Sequence, residues 1–164
     1  MSGDIDGILE QLRQDVGASR CTLRQNLDGS FAFPVTHEAL GDGVPSLRGD
    51  VTVNASSAPS IRLLQRERGP VFVEDCGAAA SSVDASYDDP SFRSMLDAYG
   101  GLAAFMVFPI FDGDDLAATI AVHHLGEPRA WTDAQRATGR DAATRIEARI
   151  TRPTTTQETS DGTV

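Results

Sequence analysis

Residues 101–131 read GLAAFMVFPIFDGDDLAATIAVHHLGEPRAW, and the rest of the chain is organised around them. Two apolar runs, Leu102 to Phe111 and Leu116 to His124, flank Asp112-Gly113-Asp114-Asp115. A short Asp/Gly link between apolar runs is the turn chemistry that lays one strand antiparallel beside the next. Phe105, Met106, Val107 and Phe108 are consecutive, so both faces of the first strand are apolar and both need cover. This hairpin therefore belongs in the middle of a sheet. Side chains alternate across a pleated strand, so His123 and His124 at its end point to opposite faces.

Beyond the hairpin, Leu125 to Trp131 forms a connection, and Thr132-Asp133-Ala134-Gln135 places a Gln three residues after a Thr. That is a capping box, and it opens a helix running to about Ile150. Upstream, Ile5, Ile8, Leu9, Leu12 and Val16 recur at helical spacing and predict an amphipathic first helix. Arg20 to Asn26 reads as a strand, residues 27–30 as a turn and Phe31 to Val35 as the returning strand, with Pro34 marking an edge or an end. From Thr36 to Asn54 the Gly and Pro content predicts an irregular excursion, with a short strand at Val51-Thr52-Val53.

Pro59 and Gly69-Pro70 bracket a helix over residues 58–68, and Val71 to Glu74 reads as a strand. Residues 76–87 are small and polar and read as a surface loop. Asp89-Pro90 caps a further helix bearing Phe92, Met95, Leu96 and Tyr99, which ends at Gly100-Gly101. This order gives an α+β domain over residues 1–150 with a central, mainly antiparallel sheet. Residues 151–164 are expected to form a disordered polar tail.

The strand pair ending in His-His, the Pro-Arg-x-Trp-Thr connection, the closing helix, Val71-Phe72-Val73-Glu74-Asp75 and Asp97-Ala98-Tyr99-Gly100-Gly101 together resemble a GAF domain, the small-molecule sensing module of bacterial signalling proteins. The resemblance covers about Ile5 to Ile150. It implies that the first and last helices pack on one sheet face, and that the middle helices and the excursion enclose a ligand pocket on the other. It also implies a homodimer through the first and last helices, a two-fold arrangement being the commonest closed assembly.

Composition narrows the function further. The net charge is −10, so the average surface repels nucleic acid and anionic membrane. All 14 basic residues are Arg, which removes lysine Schiff-base chemistry and the P-loop lysine. No apolar run reaches the ~20 residues of a membrane helix and no signal peptide opens the chain, so a cytoplasmic address is expected. Cys21 and Cys76 read as small buried hydrophobes, too few for a zinc or iron–sulfur cluster. Neither has a neighbouring His, as covalent bilin attachment in the family requires, and neither sits in the clustered-cysteine pattern of the free methionine sulfoxide reductases.

The candidate ligand-binding residues are His123, His124, Tyr99, Phe92, Met95, Asp75, His37, Glu38 and Arg24. The aromatic and Met side chains suit an apolar cavity, although core packing would use the same residues. His123 or His124 could hydrogen-bond a ligand, and His37-Glu38 could fold over it as a polar lid. Arg24 and Asp75 stand at strands or strand ends. His37, His123 and Asp75 lack the spacing that fixes a metal, so no metal site and no cofactor is assigned. The reading is a sensor acting through a separate output protein or through self-association. The alternatives are a small enzyme using a pocket His as acid or base, assisted by Asp75 or Glu38, and a haem-binding redox or gas sensor.

Overall fold

The computed structural model describes residues 2–27, 32–50 and 58–150. Among the described residues five antiparallel strands form one sheet, in the order β2 (Val35–Leu40), β1 (Arg20–Gln25), β5 (Asp115–Leu125), β4 (Leu102–Asp112) and β3 (Val71–Val73). The central hairpin is β4 (Leu102–Asp112) and β5 (Asp115–Leu125). Asp112 stands opposite Asp115, and Gly113 turns the chain at φ +64°, a backbone region that glycine enters without a side-chain clash.

One face of the sheet carries α1 (Ser2–Val16) and α5 (Asp133–Ile150). Ile5, Ile8, Leu9, Leu12 and Val16 of α1 are buried against Cys21, Leu23, Met106, Phe108, Ile120 and Val122. Each such side chain stabilises the fold by about 1.5–3 kcal/mol relative to exposure. Thr132 and Gln135 exchange side-chain and backbone hydrogen bonds of 3.0 and 3.1 Å, so the capping box that opens α5 forms as the sequence indicates. Trp131 fixes the approach to that helix: its Nε1–H donates to Val73 O at 3.1 Å and its backbone N–H to Glu74 Oε2 at 3.0 Å.

The helix α5 comes very close to the sheet at Gly139. A Cβ there would lie 2.3 Å from the Phe108 ring, and that ring is buried and packed edge-to-face on Phe72 at 5.8 Å. Gly139→Ala is therefore expected to destabilise the protein by about 1–3 kcal/mol through overpacking, although alanine is the better helix former by about 1 kcal/mol. Urea denaturation measures this, and an unchanged midpoint would mean that the Phe108 ring moves aside freely.

The other face carries α2 (Pro59–Glu67), α4 (Pro90–Ala98) and the turns between them, over a second core of Ile61, Leu64, Tyr87, Phe92, Phe105 and Val107. Residues 76–87 are not a plain loop. They make two 3-10 turns and the short helix α3 (Ala79–Ser82). Asp75, Asp84 and Asp89 each cap the turn that follows, accepting from the N–H two residues on at 2.9–3.0 Å. Sparse apolar content hid these turns; their regular Asx caps were the available signal.

The first hairpin also differs from its expectation. The returning strand is β2 (Val35–Leu40), pairing with β1 (Arg20–Gln25) from Arg20↔Leu40 to Arg24↔Val35. The ladder begins after Pro34, which has no N–H to donate, and preceding Phe33 is held at φ +50°. Thr36 to Leu40 is thus an edge strand rather than the start of the excursion. The expected strand at Val51-Thr52-Val53 and the tail lie outside the described residues, as do Phe31 and most of the expected turn.

Candidate functional site

Alternation along β1 turns Cys21 and Leu23 to the α1/α5 core and leaves Arg20, Thr22 and Arg24 on the face covered by α2 and α4. The register with β5 sets Arg20 opposite His123, Thr22 opposite Ala121 and Arg24 opposite Thr119. Residues directly opposite in a ladder share a face, so two arginines and a histidine are committed to the sheet surface beneath α4. All three are buried, Arg20 at 0% exposure and Arg24 and His123 at 5%.

Tyr99, the residue that ends α4, is central to the group. Its ring stacks on His123 at 6.0 Å with a 26° tilt, and the Arg20 and Arg24 guanidinium carbons lie 5.7 and 6.0 Å from its centroid. Arg20 spends its donors on neutral acceptors: His123 Nδ1 at 3.0 Å, Pro45 O at 2.8 Å and Tyr99 O at 2.9 Å. Arg24 donates to Phe33 O at 3.0 Å, Asp50 O at 3.1 Å, Asp50 Oδ2 at 2.9 Å and Tyr99 Oη at 2.7 Å. Tyr99 Oη–H in turn donates to Asp50 Oδ2 at 2.6 Å. These charge-assisted bonds join β1, β5, the end of α4 and the 41–50 loop.

The protonation state of His123 follows from its partner. Arg20 Nε–H can only donate, so His123 Nδ1 is bare and the imidazole proton sits on Nε2. Burial, reinforced by the positive charges of Arg20 and Arg24, holds the His123 pKa well below the ordinary histidine value. Burial also pushes Arg20 down to about 10, which keeps it cationic at neutral pH.

A cavity of about 60 Å³ lies against this network. Phe92, Met95, Leu102, Phe105 and Val107 give it apolar walls, and Arg24, Ser60, Tyr99, Thr119 and His123 supply polar ones. A wider cleft of about 940 Å³ opens between residues 46–50, Ala58 and α4, and it shares Met95 and Tyr99 with the cavity.

The structure thus brings Arg24, Phe92, Met95, Tyr99 and His123 to one cavity and places the other four candidates elsewhere. His124 faces the opposite side of β5 and is half-buried, as the one-residue alternation demands. His37 lies opposite Leu23 on β2 and so shares the face of α1, not that of the cavity. Glu38 accepts from Ser46 Oγ and from Leu47 N at 2.8 Å, which fastens the 41–50 loop to β2 rather than lidding a ligand. Asp75 caps the turn at Gly77. Sequence reading missed Arg20, Asp50, Ser60 and Thr119. The period-2 pattern Arg20-Thr22-Arg24 was the signal for Arg20, because an alternation that buries Cys21 and Leu23 on one face commits the arginines to the other. Asp50 lies in an irregular segment with no period to read.

Neither cysteine lines the cavity. Cys21 belongs to the α1/α5 core, its thiol pushed up by burial, and Cys76 is likewise buried, with its pKa raised to about 12 by burial and then by Asp75. Among the described residues no three His, Cys, Asp or Glu side chains come together as metal ligands.

The chain belongs to the GAF family: the GAF domain model matches residues 5–150. Among solved structures it is similar to the PixJ GAF domain of Thermosynechococcus elongatus in its blue-light-absorbing form, at a TM-score of 0.74 and 18% identity over 98% of this chain and 93% of that one. The phycoerythrobilin-bound GAF domain of a cyanobacterial phytochrome gives a TM-score of 0.74 at 17% identity, over 93% and 86% of the two chains. The chromophore-binding domain of an unusual bacteriophytochrome from R. palustris gives 0.71 at 18% identity; 92% of this chain matches 54% of that one, so the chain spans about half of that structure. At these identities the likeness is one of fold. No curated protein matches the chain in sequence. Among the described residues no helix is long and apolar enough to cross a membrane.

Proposed function

We propose that this GAF domain is a small-molecule sensor whose ligand lies between the sheet and α2 and α4, with its polar end against Arg24, Tyr99 and His123. The observation that carries the reading is the cavity itself. It combines an apolar lining with a few convergent, buried polar groups, the combination that orients a small organic ligand. Membership of a family of small-molecule-binding signalling modules supports it. Three structurally similar domains carry or are named for chromophores or light absorption, but Cys21 and Cys76 lie away from the cavity, which favours a non-covalent ligand.

His123 favours binding over catalysis. Among the described residues no carboxylate orients its ring; a cation does, and it holds the imidazole neutral with Nε2–H as a hydrogen-bond donor. A histidine that ligates haem iron or another metal commonly donates its second ring N–H to an acceptor. Here that second nitrogen accepts from Arg20 instead, which speaks against the haem reading. Output is proposed to pass through a separate protein or through self-association along α1 and α5, which lie side by side on the face away from the cavity.

Native followed by denaturing mass spectrometry of the freshly purified protein tests both parts. The expected native spectrum shows a dimer carrying a small molecule that denaturation releases as a separate mass. A ligand-free protein that also gains no thermal stability from any metabolite would refute the sensor reading, and a monomer mass at every concentration would refute self-association.

A further inference from the structure

Asp50 sits at the seam between the two spaces: Arg24 lines the inner cavity, Asp50 the outer cleft, and Tyr99 both. Its Oδ2 takes hydrogen bonds from Arg24 Nη2 at 2.9 Å and Tyr99 Oη at 2.6 Å. Arg24 Nη2 also donates to Tyr99 Oη at 2.7 Å, which closes a triangle. A buried guanidinium and a phenol hydroxyl aimed at one point form a built receptor for an anionic oxygen. In this structure the chain's own carboxylate fills it.

Two observations support displacement of this carboxylate by a ligand. First, the backbone of Asp50 is anchored independently of its side chain: its N–H donates to Leu47 O at 2.8 Å, and its carbonyl accepts from Val35 N at 3.2 Å and from Arg24 Nη1 at 3.1 Å. Second, the inner cavity is too small to be the whole site. Its 60 Å³ falls well short of the ~300–1,000 Å³ of sites for small organic ligands. An organic ligand must therefore pass the Met95–Tyr99 seam into the cleft, and the group that reaches Arg24 there stands where the Asp50 carboxylate now stands.

We propose that the Asp50 carboxylate is a resident stand-in for the anionic group of the ligand. The ligand is then a small organic anion, with an apolar body in the cavity and a carboxylate or phosphate that displaces Asp50 from Arg24 and Tyr99. Charge supports this class. The network holds two guanidinium groups, Arg20 and Arg24, and Arg20 is bonded to neutral acceptors. An incoming carboxylate keeps the buried charge as it was, and the extra charge of a phosphate is met by the second guanidinium, whereas a neutral ligand brings no charge to replace that of Asp50 beside a cation. This inference rests on the sensor reading and names the class of ligand for the same site.

Calorimetric titration of the wild type, Asp50→Asn, Asp50→Ala and Arg24→Gln with 3-phenylpropionate, phenyl phosphate and 3-phenylpropionamide tests it. Removing the internal competitor is expected to tighten at least one of the two anions tenfold or more in Asp50→Asn and Asp50→Ala. The uncharged amide should gain no comparable affinity in either Asp50 variant, and Arg24→Gln should abolish the anion binding. Which anion responds distinguishes a carboxylate ligand from a phosphate one. Anions that bind the Asp50 variants no more tightly than the wild type, or not at all, would overturn the proposal. Amide binding, or a small molecule retained in the native mass spectrum, would in that case leave the sensor reading standing and remove only the stand-in.

Discussion

Arg20→Ala is expected to destabilise the protein by about 3–5 kcal/mol, because three buried acceptors lose their donor at once and each orphaned polar group costs about 1–3 kcal/mol. The acceptors are His123 Nδ1, Pro45 O and Tyr99 O. The opposing effect is relief from burying a cation that, among the described residues, is hydrogen-bonded to no carboxylate, and that burial, with a smaller part from the neighbouring Arg24, moves down to about 10. Three satisfied hydrogen bonds and a filled volume outweigh that relief, since truncation leaves a void as well as the orphaned groups. The corresponding fall in Tm is roughly 10 °C, at ~2–4 °C per kcal/mol for a chain of this size. Differential scanning calorimetry reads it directly. A loss below about 1 kcal/mol would show that desolvation of the guanidinium cancels its bonds, and that Arg20 is not what holds the end of α4, the 41–50 loop and His123 together.

Acid is expected to destabilise the fold well above the carboxylate range. His123 has a folded-state pKa well below its unfolded value of about 6.5, so below that pH the unfolded chain binds a proton that the folded chain refuses. Its contribution to stability is therefore complete above about pH 6.5 and is lost as the pH falls toward the folded value. The slope approaches about 1.4 kcal/mol per pH unit between the two values. The groups that face the ring, Arg20, Arg24 and Tyr99, include two cations that reinforce the direction. His37 and His124 shift the same way through burial but are partly exposed, so they add less. Glu10 and Asp84 have lowered pKa values and lose their contributions only in the carboxylate range below. His123→Asn can keep an acceptor near the Nδ1 position while removing the titration. Urea midpoints measured from pH 7.5 to 4.5 should fall steeply in the wild type and much less in His123→Asn; equal slopes would contradict the account.

The fold was legible where apolar period and turn chemistry agreed. The hairpin 102–125, the Thr132/Gln135 capping box, the Asp89-Pro90 helix start and the α1 stripe all combine a strong pattern with a defined boundary signal, and each forms as read. The β2 edge strand was not legible, because Val35-Thr36-His37-Glu38-Ala39-Leu40 buries only Val35 and Ala39 fully and sits among glycines. That misreading carried over to the site. Taken as loop residues, His37 and Glu38 seemed free to reach a ligand, whereas strand alternation sends His37 to the α1 face and register binds Glu38 to the neighbouring loop.

Tyr99 and His123 could be chosen from sequence because a helix end and a strand end have definite directions. Arg24 was chosen on its strand alone. Its true partners, Asp50 and Phe33, come from irregular backbone, where no period says which way a side chain points. Arg20 was missed for a different reason. A buried arginine is unusual enough that the default places it in solvent, and only the full set of acceptors converging on it shows why it is inside.

The central claim is that the space between Arg24, Phe92, Tyr99, Phe105 and His123 holds a small molecule. Its most direct test is a thermal-shift metabolite screen run in parallel on the wild type and on Ala121→Leu, which places a larger side chain on the wall of the cavity. A ligand at about 100 times its Kd stabilises the protein that binds it by about 2.7 kcal/mol. The account predicts at least one compound that raises the wild-type Tm by roughly 5–10 °C and leaves Ala121→Leu unmoved. Compounds that raise both proteins alike, or a screen in which nothing raises the wild type, would contradict it.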